Sequence, residues 1–129
     1  MLARARNRYR AVDNVGAVTD RSPIELILLV YDRIADKLSA AEVAIASQRD
    51  DLLAEAITEA TDLISLGLVA ALDYERGGAI ADNLGAIYDY GLRRLLQARL
   101  RKDANMVREV GNLLAGLRDA WVNVQQSQA

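Results

Sequence analysis

The chain of 129 residues contains no cysteine and no histidine. Without cysteine it can form no disulfide framework and has no thiol nucleophile, and a reducing compartment is compatible with its composition. Without histidine it lacks the commonest general base and the commonest metal ligand of proteins. The sequence also has no phosphate-binding glycine loop, zinc-ligand spacing or catalytic triad. We therefore expect no enzyme activity, no metal and no other cofactor.

Phenylalanine is absent as well, and proline occurs once, at Pro23. Apolar residues make up 52% of the chain, with alanine and leucine dominant and β-branched runs scarce. This composition predicts one all-α domain that is large enough to bury a core. No apolar run approaches the roughly 20 residues that a helix needs to cross a bilayer, so we expect no stable membrane insertion.

The formal net charge is only −2, so the whole chain exerts no general attraction on nucleic acid. The first ten residues nevertheless hold Arg4, Arg6, Arg8 and Arg10 without an acidic residue. An arginine-rich start without acids is typical of an organellar transit peptide, and it also suits contact with RNA. We favour a solvated, flexible arm.

Three start signals agree at the beginning of the first long helix. Ser22 is a good N-cap, Pro23 falls at the first helical position, and Glu25 lies three residues after the cap. We therefore predict a mobile N-terminal arm or short helix over residues 1–21 and a helical bundle over residues 22–129. Apolar periodicity places the helices at about 23–47, 51–74, 80–100 and 104–125. Four helices with three short connections predict an antiparallel up-down-up-down four-helix bundle.

The first helix carries more apolar surface than one core stripe requires. The stripe expected to face the core contains Ile27, Val30, Ile34, Leu38, Ala41 and Ile45. A neighbouring stripe contains Ile24, Leu28, Tyr31 and Ala35, and Leu92 and Leu96 lie beside the core face of the third helix. This surplus either packs on a second side or waits for a partner.

Several other features favour structural explanations. Helix-interior glycines permit close helix approach, although they could also floor a shallow groove; they are Gly67, Gly91, Gly111 and Gly116. Tyr88 lies on the core face, Arg93 can pair with Asp89, and Trp121 suits packing in the core or at its end. The arginines and lysine between Arg93 and Lys102 suit a solvated face, since acids dilute them.

Three sequence blocks and one isolated tyrosine together form a specific pattern along the chain. The first block runs from Ser22-Pro23 to Tyr31-Asp32, and the second is Asn83-Leu84 followed by Ile87-Tyr88-Asp89-Tyr90 and Arg93-Arg94-Leu95. The third is Leu117-Arg118-Asp119-Ala120-Trp121, and Tyr9 precedes them all. Together these pieces resemble the flagellin-specific export chaperone family, FliS, and their order and approximate separations match that family over nearly the whole chain.

The resemblance implies an export chaperone in the bacterial cytosol. It would bind the disordered C-terminal segment of flagellin, prevent premature polymerisation and assist flagellar type III secretion, with export-gate components as further partners. The surplus apolar residues of the first and third helices supply our candidate flagellin contacts, which are Ile24, Leu28, Tyr31, Ala35, Leu92 and Leu96. The N-terminal strip would cover part of this site through Tyr9, Val12, Val15 and Val18.

Other functions stay compatible with the sequence. A different helical secretion co-chaperone, or a partner of an anti-sigma factor, would need a similar apolar bundle. An RNA-binding bundle would use the arginine-rich arm, and its affinity would fall with salt. A weak homodimer is a further alternative, and the sequence does not identify the cognate flagellin.

Overall fold

A computed structural model describes residues 22–128, which form four helices and no strand. Helix α1 spans Pro23–Ala46, and α2 spans Asp50–Asp62 and continues as a π-helix over Leu63–Val69. Helix α3 spans Tyr74–Arg101 and α4 spans Ala104–Gln128. Helix α1 packs on both α2 and α4, and α3 completes the bundle between α4 and α2. The predicted all-α four-helix bundle is confirmed, whereas the predicted arm lies outside the described residues.

The start of α1 follows from its cap. The backbone of Ser22 is extended, and its hydroxyl oxygen accepts a hydrogen bond from the Glu25 N–H at 3.2 Å. Pro23 occupies the first helical position, where no intrahelical partner for an N–H exists. The helix ends before Gln48, whose φ of 56° is left-handed and turns the chain into α2.

The boundary between the second and third helices differs from the prediction. Helix α2, with its π-helical continuation, ends at Val69 instead of Tyr74, and α3 begins at Tyr74 instead of near residue 80. Asp73 determines this start, because its carboxylate accepts a hydrogen bond from the Arg76 N–H at 3.0 Å. Gly77 and Gly78 fall in the interval predicted between these two helices, but they lie at a kink within α3, where Gly78 has a φ of 49°.

The core lies between the four helices and includes the predicted inner stripe of α1. Val30, Ile34, Leu38 and Ala41 are buried, while Ile27 and Ile45 pack against the core as partly buried residues. Tyr88 is also buried, as expected for its position on the core face. Since no Phe is present, two tyrosines fill part of this core.

One interior glycine supports a close helix contact. A Cβ added at Gly67 would lie 2.8 Å from Cγ1 of Val30, so the π-helix approaches α1 more closely than alanine would allow. At Gly116 nothing lies within 4 Å of such a Cβ. The prediction that glycines permit close approach therefore holds at Gly67 and fails at Gly116.

Ion pairs on the surface connect neighbouring helices. Arg118 pairs with Asp32 at 2.7 Å, and Lys102 pairs with Asp50 at 2.9 Å. Each pair is exposed, and such pairs contribute at most about 1 kcal/mol. Packing of the apolar faces therefore supplies most of the stability of the bundle.

Candidate partner-binding surfaces

The structure divides the predicted contact residues between core and surface. Leu28 and Tyr31 are buried, Ile24 is half-buried and Ala35 is exposed. Ala35 and Tyr31 line a small hollow of about 60 Å³ between α1 and α4. The second apolar stripe of α1 is thus mainly a second packing face, because α1 contacts both α2 and α4.

Helix α3 presents a row of leucines to solvent. Leu92 packs partly against the core, Leu96 is 55% exposed and Leu100 is 73% exposed. We call these three residues the α3 ridge. Helices α1 and α3 lie diagonally across the bundle, so the structure does not bring Ala35 and Leu96 onto one surface. Leu100 was not among the predicted contacts, although its spacing of four from Leu96 indicated it.

An apolar cleft of about 300 Å³ opens at the end of the bundle where α1 begins. The π-helix forms one wall with Gly67 and Leu68, and Trp121 of α4 contributes to the lining. Ile80 also lines this end cleft and is 72% exposed. Trp121 packs against the core, as predicted, and it also lines the end cleft.

A second groove, of about 500 Å³, lies between α1 and α2. Its apolar lining includes Val43, which is 64% exposed, together with Leu52. An ion pair from Lys37 to Glu59, with a distance of 2.6 Å, connects the two helices beside this groove. We call this second groove the α1–α2 groove. Apolar periodicity did not indicate it, because Val43 lies outside both apolar stripes of α1.

Two tyrosines meet in the core beneath these surfaces. The hydroxyl oxygens of Tyr31 and Tyr88 lie 2.6 Å apart and share a hydrogen bond. Burial raises the pKa of the Tyr31 phenol, and it raises the pKa of the Tyr88 phenol further, with the Tyr31 hydrogen bond adding to the effect. Both phenols therefore stay neutral at physiological pH, and their role is structural.

A polar network connects the outer faces of α3 and α4. The Tyr90 hydroxyl donates to Glu109 Oε2 at 3.0 Å, and Arg94 Nε donates to Glu109 Oε1 at 2.7 Å. The hydrogen bonds from Arg94 and then Tyr90 lower the pKa of Glu109. Asp89 and Arg93 form the predicted pair at 3.2 Å. The two contacts of Glu109 join α3 to α4, and each charged side chain of the network has a partner of opposite charge.

Within residues 22–128, no cluster of three or more acidic side chains is arranged to hold a metal ion. None of the helices in this same range has the length and apolarity to cross a membrane. The distinctive features of the described surface are instead apolar: the α3 ridge, the end cleft and the α1–α2 groove. A helical bundle with several separate apolar surfaces is typical of a protein that binds other polypeptides.

Comparison with known proteins identifies the family to which this chain belongs. The family model of flagellar protein FliS matches residues 5–128, and the chain belongs to this family. Members of the family are chaperones and not enzymes, so the expectations of chaperone function and of no enzyme activity are confirmed.

The similar proteins come from several different bacteria. A flagellar secretion chaperone FliS of Salmonella typhimurium strain LT2 is 41% identical over 118 residues, covering 90% of this chain and 86% of the relative. FliSB of Pseudomonas aeruginosa strain PAO1, also named a flagellar secretion chaperone, is 32% identical and covers 92% of this chain and 93% of the relative. The Bacillus subtilis strain 168 protein of this name is 30% identical and covers 95% and 89%.

Proposed function

We propose that the chain binds the disordered C-terminal segment of newly made flagellin in the bacterial cytoplasm. Binding would mask the segment, prevent premature polymerisation and keep the subunit ready for flagellar type III secretion. Export-gate components are the second class of partner that we propose. The names of the relatives support the secretion role, and the separate apolar surfaces of the bundle support the binding of an extended polypeptide.

The observation that carries this proposal is the distribution of the apolar surfaces. A disordered segment loses conformational entropy when it binds, so useful affinity requires a large contact area. The α3 ridge, the end cleft and the α1–α2 groove lie on different parts of one rigid bundle. A chain that wraps around the bundle can use all three, whereas a compact ligand could use only one.

The predicted contacts take different roles in this proposal. Ile24, Ala35, Leu92 and Leu96 keep side-chain surface that a flagellin segment can touch. Leu28 and Tyr31 are buried, so they would support the contact surface from below.

We also propose that the N-terminal strip covers the end cleft when flagellin is absent. This strip is the one that contains Tyr9, Val12, Val15 and Val18. It joins α1 at Ser22, and Ile27, five residues later, lines the cleft. A covering strip would reduce the tendency of an empty apolar surface to self-associate.

The test is a calorimetric titration with a peptide from the C-terminus of the cognate flagellin. Leu96→Asp should weaken binding about ten-fold or more, because a carboxylate would replace an apolar contact. Val124→Asp on α4 is the matched control, since Val124 is also exposed and lines none of the three surfaces. The wild-type chaperone should also delay flagellin polymerisation followed by light scattering, and Leu96→Asp should delay it less.

Two results would contradict the proposal. One is the absence of both heat and a shift in gel-filtration elution when wild-type protein meets the peptide at tens of micromolar. The other is equal weakening by Leu96→Asp and Val124→Asp, which would remove the α3 ridge from the site.

A further inference from the structure

The α3 ridge carries positive charge on both of its sides. Arg93 lies three residues before Leu96 and Arg99 lies three residues after it. At about 3.6 residues per turn, the two arginines project on opposite sides of Leu96. The Arg99 side chain is exposed and forms no hydrogen bond or ion pair within residues 22–128. Arg93 pairs with Asp89 at 3.2 Å, so the uncompensated charge lies at Arg99.

A second copy of the chain is a poor occupant for this ridge. In a dimer formed through the α3 ridge, an antiparallel two-fold pairing centred on Leu96 would bring Leu92 of one copy level with Leu100 of the other. The same symmetry would bring Arg93 of one copy level with Arg99 of the other on the opposite flank, so that four arginines would border one apolar seam. Positive charges gathered around one seam disfavour association. The charge pattern instead complements a partner that has acidic side chains.

We infer that the α3 ridge binds a helical part of the flagellin C-terminal segment in which carboxylates flank apolar side chains. This inference rests on the proposed function and adds to it the chemistry of the bound segment. The apolar side chains of the segment pack on Leu96 and Leu100, as in other contacts between an amphipathic helix and an apolar surface. Its carboxylates pair with Arg99 and compete with Asp89 for Arg93.

The neighbouring Arg101 provides a matched control for Arg99. Both arginines lie in the last turn of α3, where either one interacts favourably with the helix dipole. Arg101 also forms no ion pair within the described range, but it lies five residues after Leu96. Its side chain therefore projects about 140° away from Leu96 around the helix axis. Any difference between the two variants then reports contact at the ridge.

The experiment titrates the flagellin C-terminal peptide into full-length wild type and three variants at 50 and 300 mM salt. Arg99→Gln should weaken binding about two- to five-fold at 50 mM salt and less at 300 mM. Arg101→Gln should bind as wild type does. Leu100→Ser should weaken binding by about five-fold or more at both salt concentrations. Circular dichroism should show unchanged helix content in all three variants, because each replaced side chain is exposed.

The outcomes separate this inference from the proposed function. If the wild type binds the peptide but Arg99→Gln and Arg101→Gln behave alike, the inference is wrong and the proposed function stands. The same conclusion applies if changing the acidic residues of the peptide to amides leaves the affinity unchanged. If the wild type does not bind the peptide, both fail. Sedimentation of the wild type alone should show a monomer, and a dimer that Leu100→Ser abolishes would overturn the inference in favour of a second copy.

Discussion

The pair of hydroxyl groups between Tyr31 and Tyr88 is the one polar contact that joins α1 to α3 through the described core. Each phenol can be buried at low cost because its hydroxyl has hydrogen-bond partners, namely the other tyrosine and Trp121. Both residues belong to sequence blocks that resemble the FliS family. Their spacing identified Tyr88 as core and left the role of Tyr31 open, and the hydrogen bond shows why the two tyrosines occur together.

Removing one hydroxyl of this pair should be more harmful than removing both. Tyr88→Phe should lower the free energy of unfolding by about 1–2 kcal/mol, because the buried Tyr31 hydroxyl then loses its 2.6 Å hydrogen bond and keeps only Trp121 as a partner. The double variant Tyr31→Phe/Tyr88→Phe should lose less than the sum of the two single variants. Urea denaturation measures these values, and Tyr74→Phe at an exposed site is the control. Strict additivity of the two single effects would contradict the coupling.

The same pair should make the protein sensitive to alkali. Burial raises both phenol pKa values above the unfolded value of 10.0. Above about pH 10 the unfolded chain therefore releases protons that the folded chain retains, so unfolding becomes more favourable as pH rises. The contribution of the two phenols to the free energy of unfolding should be constant below about pH 9. It should fall between about pH 10 and 11 when followed by urea denaturation. The double Phe variant should show a shallower fall, and an equal slope would exclude the pair as its cause.

At the scale of elements, α2 is the helix whose course depends most on its neighbours. It changes from α-helix to π-helix at Leu63, and this wider segment forms one wall of the end cleft. Gly67 lies against Val30 in that segment. The periodicity of the sequence predicted an uninterrupted helix, because it cannot show the extra residue that a π-turn accommodates.

Two glycine substitutions should therefore have opposite effects. Gly67→Ala should destabilise the protein by about 1–3 kcal/mol, because its Cβ would meet Val30 at 2.8 Å. Gly116→Ala should stabilise α4 by up to about 1 kcal/mol, because nothing lies within 4 Å and alanine favours a helix. Thermal unfolding measures both effects. A neutral Gly67→Ala would mean that the π-helix can move away from α1 without cost.

For the whole molecule, the notable feature is that apolar surface remains after the core is complete. The buried residues of the four helices already form one continuous cluster, yet Val43, Ile80, Leu96 and Leu100 stay largely exposed. Exposed apolar side chains on three separate surfaces suit a protein that must hold an extended partner. A single deep pocket would suit a small ligand instead.

The sequence by itself determined the fold class, the start of α1 and the absence of cysteine and histidine chemistry. These features depend on local signals: helical periodicity, the Ser22 cap and composition. The family was also indicated by local signals, since its three blocks are short runs of residues in a fixed order. Helical periodicity could not tell a second core face from a docking surface, because both require the same apolar spacing along one helix.

Only the tertiary structure decided which apolar residues remain accessible. Burial depends on the neighbouring helices, so Leu28 and Tyr31 became buried while Leu96 and Leu100 stayed exposed. The start of α3 at Tyr74 and the surfaces around Val43 and Ile80 depend in the same way on how four helices meet. The helices follow from the local sequence, and the binding surfaces follow from what the packing of those helices leaves uncovered.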